Sequence, residues 1–151
     1  MSNKSPRISR SVAKTESIAA DLAKTLQGGE CIALRGQLGA GKTQFVRGLA
    51  RALGANPKSV SSPTFVLLNV YKGGRLTLYH LDAYRVGGPE DFESIGFTEL
   101  LEQGGVVVVE WASKVAGILP SNTIHITIEP VNKTTRTLTI GTSTQNPGNM
   151  L

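Results

Sequence analysis

The chain has 151 residues, 40% of them hydrophobic and 18% charged, with 16 Lys and Arg against 11 Asp and Glu for a net charge of +5. That length and composition exclude a disordered chain and suit one domain with a core of its own, and the single cysteine, Cys31, excludes an internal disulfide and reads as a small buried hydrophobe of a reducing compartment. The longest apolar runs, Val106–Val109 and Phe65–Leu68, fall far short of the roughly 20 residues of a membrane helix, no apolar signal stretch follows the basic segment Met1–Ser11, and lysines and arginines are scattered as on a solvated surface, so a cytoplasmic protein without a membrane segment is expected.

In chain order, residues 1–14 are polar and basic without periodicity and are expected to form a flexible tail. A helix is expected from Thr15 as its cap, since Ile18, Leu22 and Leu26 recur at spacing four and Gly28–Gly29 stops it. Cys31–Leu34 is a buried strand that runs into Gly36, and after Thr43 the residues Phe45, Val46, Leu49, Ala50 and Leu53 mark a helical face ending near Gly54. Two β-rich runs, Phe65–Tyr71 and Arg75–Leu81, flank Gly73–Gly74 as a hairpin. Pro89–Gln103 is acidic and reads as two short helices interrupted at Gly96. Val106–Val109, four β-branched residues, has the pattern of a strand buried on both faces. Ile124, Ile126 and Ile128, then Leu138 and Ile140, alternate as a second antiparallel pair, and residues 142–151 are expected to be a flexible tail. The whole reads as a single α/β domain: a mixed, mainly parallel sheet with antiparallel strands added and helices on both faces.

The segment Gly36-Gln37-Leu38-Gly39-Ala40-Gly41-Lys42-Thr43 matches GxxxxGK[ST], the P-loop pattern in which glycines let backbone N–H groups surround phosphates. Gln37, Leu38, Gly39, Ala40 and Gly41 line that cradle. Lys42 reaches the β and γ phosphates, Thr43 offers its hydroxyl to a magnesium ion, and the following helix turns its positive end to the anion. Glu110 closes the Val106–Val109 strand at the edge where open α/β sheets place ligands, so it either binds magnesium, directly or through water, or merely ends the strand. Asp82 closes the preceding run and either orients an attacking water or serves a turn. Trp111 either packs over the site or fills core. Thr64, in Ser62-Pro63-Thr64-Phe65, occupies the place of a γ-phosphate switch or of a plain turn. Arg47 and Arg85 carry charge that phosphate could use. His80 and His125 lie in different strands with no cysteine partner at ligand spacing, so they read as packing or surface residues and not as zinc ligands.

Together, Gly36–Thr43, Ser62-Pro63-Thr64-Phe65, His80-Leu81-Asp82-Ala83-Tyr84-Arg85 and Val109-Glu110-Trp111, in that order and spacing, resemble the TsaE (YjeE) family, the bacterial ATPases of tRNA threonylcarbamoyladenosine biosynthesis. The resemblance spans Thr15 to about Ile140. It implies a P-loop NTPase fold, binding and hydrolysis of ATP with Mg2+, and a complex with TsaB and TsaD family proteins. That complex attaches a threonylcarbamoyl group to N6 of adenosine 37, so tRNA would be met through it. It also implies Lys42 and Thr43 as phosphate and magnesium residues, Glu110 as the magnesium-binding acid, Asp82 as the catalytic acid and Thr64 as the switch. Two positions depart from the family pattern: Gln37 stands where Asp is frequent, and Ala112-Ser113 where Pro-Glu is common. ATP is favoured over GTP because Asn132-Lys133-Thr134-Thr135 lacks the carboxylate of the guanine-reading [NT]KxD loop and no DxxG follows a strand. A small-molecule kinase and a nucleotide-sensing scaffold are the rival readings; the first lacks a basic lid-like insertion, and the second would use the acidic stretch Pro89–Gln103 as a partner surface.

Overall fold

A computed structural model describes residues 6–37, 40–56, 68–83, 89–94 and 96–142. Seven strands form one sheet: β1 (Arg7–Ser9), β2 (Cys31–Arg35), β3 (Leu68–Tyr71), β4 (Leu78–Asp82), β5 (Val106–Glu110), β6 (Ile124–Pro130) and β7 (Arg136–Gly141), in the spatial order β1-β7-β6-β2-β5-β4-β3. The central pairings β6–β2, β2–β5 and β5–β4 are parallel. The outer ones, β1–β7, β7–β6 and β4–β3, are antiparallel. Parallel strands need crossovers and covered faces, and β2 and β5 are buried at every position.

Period-two alternation sends neighbouring side chains to opposite faces. Ile32, Leu34, Val106, Val108, Ile126 and Ile128 meet α1 (Val12–Ala23) and α2 (Lys42–Leu53) through Ile18, Phe45, Val46, Leu49 and Leu53. Cys31, Ala33, Leu81, Val107 and Val109 meet the opposite layer through Phe97, Ala112 and Val115. That layer holds α4 (Phe97–Leu101) and a 3-10 helix, Ala112–Ile118. The acidic stretch is two short helices, α3 (Pro89–Ser94) and α4, with Gly96 in the left-handed region at φ 93° as the N-cap between them. The hairpin pairs Tyr71 with Leu78 across Gly73–Gly74.

Two expectations are corrected at the N-terminus. Arg7–Ser9 is an edge strand paired to β7, not part of a flexible tail. The cap of α1 is Ser11, whose Oγ accepts from the Lys14 N–H at 3.0 Å, and Thr15 sits one turn inside the helix. Thr15 is buried there because its hydroxyl is 2.7 Å from Ser9 Oγ, a partner that only the folded β1 supplies. The helix also ends earlier, at Ala23, although Leu26 is still in the core. Residues 143–151, expected as a tail, lie outside the described residues. Among the described residues no helix is long and apolar enough to cross a membrane.

Candidate functional site

The parallel register brings the chemistry to one edge. Leu34 pairs with Glu110, and Glu110 with Asp82, so the carboxyl ends of β2, β5 and β4 lie side by side where β2 enters the glycine loop. Gly36 opens that loop hard against β6: a Cβ there would lie 2.8 Å from the Ile128 carbonyl oxygen. Gln37 is exposed, its carbonyl accepting from the Ala40 N–H at 3.0 Å. Leu38 and Gly39 lie outside the described residues, as do Thr64 and Arg85. Gly41 caps α2 at φ 107°, in the region that favours glycine. Among the described residues no side chain caps the α2 N-terminus, and its first turn holds no acidic residue, an arrangement whose first N–H groups and positive dipole end suit an anion.

Lys42 opens the helix. Its ammonium is 3.4 Å from Glu110 Oε1 and 5.2 Å from the centre of the Trp111 ring, and both charged side chains are nearly buried, at 9% and 7% exposure. Trp111 thus stands beside Lys42 and also packs against the core cluster that contains Val109 and Ala112, on a left-handed backbone, φ 57°, that a bulky residue seldom adopts. Asp82 is buried at 8% exposure beside Glu110. Thr43 is half-buried in the first turn of α2. Glu110 Oε2 accepts from His80 Nε2 at 2.5 Å. Burial alone would push the Glu110 carboxyl up; the His80 hydrogen bond, with the charges of His80 and Lys42, holds it below the ordinary glutamate range.

Two residues of this neighbourhood were given no role in the site by the sequence reading. His80, read as packing, is fully buried and bound to Glu110; both end up on one face because β4 and β5 are in parallel register, which alternation alone does not reveal. Arg136, at the start of β7, donates from Nε to the Ala40 carbonyl at 2.9 Å and from Nη1 to Asn132 O at 2.9 Å, tying the β6–β7 turn to the loop. Arg47 is half-buried on α2. His125 meets Arg35 Nη1 through Nδ1 at 2.7 Å, on the other side of the sheet from α2. Asn132 is used structurally: Oδ1 accepts from the N–H groups of Thr134 and Thr135, each at 3.0 Å. Among the described residues no three His, Cys, Asp or Glu side chains gather as a metal cluster. Glu110 and Thr43 are oxygen donors of the kind magnesium accepts alongside phosphate oxygens, so the residues fit that ion.

The family model described as threonylcarbamoyl adenosine biosynthesis protein TsaE matches residues 9–138. The chain belongs to the TsaE family. It is 43% identical over 133 residues to the tRNA threonylcarbamoyladenosine biosynthesis protein TsaE of Treponema pallidum, covering 88% of this chain and 97% of that protein. It is 37% identical over 126 residues to the protein of the same name from Bacillus subtilis, covering 83% of this chain and 78% of that one. A crystal structure of Bacillus subtilis YdiB superposes with a TM-score of 0.77 at 30% identity, covering 94% of this chain and 87% of that one. The fold is P-loop NTPase-like, and the loop, helix and strand-end acids described above lie along one edge of its sheet.

Proposed function

We propose that this TsaE-family chain binds ATP with Mg2+ at Gly36–Thr43 and hydrolyses it as the ATPase subunit of tRNA N6-threonylcarbamoyladenosine biosynthesis, supporting turnover of a complex with TsaB and TsaD family proteins at adenosine 37. The observation that carries the reading is Lys42, placed at the mouth of an uncapped helix and 3.4 Å from the strand-end carboxylate of Glu110. Such a buried cation beside a glycine cradle is what a triphosphate requires.

The chain's own residues would act as follows. Loop amides and the N-terminus of α2 hold the phosphate oxygens, and Lys42 turns from Glu110 to the β and γ phosphates. Thr43 and Glu110 would hold magnesium, which supplies neutralisation of the charge developing on the γ phosphoryl group. Asp82, at the end of the neighbouring strand, accepts a hydrogen bond from the attacking water and places it in line. Trp111 covers Lys42 and keeps bulk water from it, which strengthens each electrostatic contact. Tying Ala40 to Arg136 fixes the cradle before ligand arrives, so less ordering is needed on binding. Glu90, Glu93, Glu99 and Glu102 are exposed on α3, α4 and the residue that follows α4, an acidic surface suited to a basic partner protein, with tRNA met through the complex.

Reconstituted tRNA modification with purified TsaB and TsaD family proteins tests the whole reading. Repeated rounds with ATP, and a single round with a non-hydrolysable analogue, are expected. Equal repeated turnover with both nucleotides would instead make the chain a nucleotide-sensing scaffold, and modification indifferent to its presence would remove it from the reaction.

A further inference from the structure

His80 sits in the middle of β4 with no exposed surface, on the sheet face covered by α2, in register with Val108. On that face Leu78 of its own strand and Val106 and Val108 of the next are apolar, while Asn69 stands opposite it on β3 and Asp82 follows two residues on. Nε2 donates to Glu110 Oε2 at 2.5 Å, while Nδ1 is buried with no hydrogen-bond partner among the described residues. An imidazole is a poor filler for such a place, since an aliphatic side chain would pack there without leaving a polar atom unmet. What it contributes is a hold on one carboxylate oxygen. Glu110 has three rotatable bonds, and with Oε2 tied to β4, a strand paired on both sides, its other oxygen, Oε1, is the one turned to Lys42.

We propose that His80 is a positioning residue for Glu110, fixing the carboxylate so that a single oxygen, Oε1, is presented to the nucleotide's metal. This rests on the reading above that Glu110 is a metal ligand. Outer partners that orient a ligating group typically change metal affinity by about 10–100-fold when removed.

The test uses the full chain with a non-hydrolysable ATP analogue and Mn2+ in place of magnesium, bound metal being read by electron paramagnetic resonance. His80→Leu is expected to weaken Mn2+ binding by about 10–100-fold while nucleotide binding in EDTA persists. His80→Gln, whose amide nitrogen reaches the place of Nε2, is expected to recover most of the affinity; His80→Asn, whose amide falls near the place of Nδ1, is not. Wild-type Mn2+ affinity in folded His80→Leu would overturn the proposal. Should His80→Leu fail to fold, the Gln and Asn variants decide, and equal affinities in those two would overturn it. Glu110→Gln separates the two readings: if it weakens Mn2+ binding and the His80 variants do not, only His80 is wrongly assigned, whereas no effect from Glu110→Gln means that Glu110 holds no metal and both fall.

Discussion

Asp82 and Glu110 stand in register at the ends of adjacent parallel strands, both nearly buried, at 8% and 5% exposure. Glu110 is engaged on both oxygens, by Lys42 and by His80. On the proposed reading the two acids have different work although they share an edge, Glu110 holding the metal and Asp82 the attacking water. Asp82→Asn is expected to leave ATP affinity unchanged and to lower hydrolysis by roughly 10²–10⁴-fold, the range lost with a positioned proton acceptor. Nucleotide titration and phosphate release on the same preparation check it; equal loss in both would return Asp82 to a structural role.

The depressed Glu110 carboxyl has a consequence for stability in metal-free buffer. Burial opposes its charge, but the His80 hydrogen bond and the His80 and Lys42 charges prevail, so the folded protein releases this proton more readily than the unfolded chain. A lowered folded value stabilises above the unfolded value and is lost as pH falls through the folded one. Thermal melts of wild type and Glu110→Gln from pH 6 to pH 3 should show the wild-type advantage shrinking as the pH drops below the ordinary glutamate range. A constant gap across that window would contradict the coupling.

Much of this was legible because the strongest signals are local. The apolar run at Cys31, the glycine loop and the period of Phe45, Val46, Leu49 and Leu53 specify strand, loop and helix without reference to the rest of the chain. Gly96 and Gly73–Gly74 likewise break their segments by backbone preference alone. What escaped depends on partners distant in sequence. Arg7–Ser9 is a strand only because β7 offers a free edge. Ser11 caps the helix in place of Thr15, whose hydroxyl is taken by Ser9. His80 meets Glu110, and Arg136 meets Ala40, through sheet register, which no single strand's pattern encodes.

Gly48 shows how closely α1 and α2 approach: a Cβ there would lie 2.6 Å from the Glu16 Cα and 2.7 Å from its carbonyl oxygen. Alanine's better helix propensity, up to about 1 kcal/mol, cannot offset a clash with backbone. Gly48→Ala is expected to lose about 1–3 kcal/mol in denaturant unfolding, and a stabilised variant would show that the two helices separate readily.

Cys31, at 2% exposure, is an inert thiol, its pKa pushed up to about 12 by burial despite a hydrogen bond with Thr123. Native protein at pH 8 should react with iodoacetamide at least about 100-fold more slowly than the denatured chain. Mass spectrometry of the single adduct follows it, and comparable rates would mean that β2 opens readily.

The most direct test of the central claim is calorimetric titration of the pure protein with ATP and magnesium, in wild type and Lys42→Ala. One site per chain is predicted for wild type, with affinity lower by about 10–100-fold in the variant, as expected for loss of a charged hydrogen bond. No nucleotide uptake by wild type, alone or with its partner proteins, or equal affinity in the two proteins, would contradict the assignment of the glycine loop and Lys42 as the phosphate site.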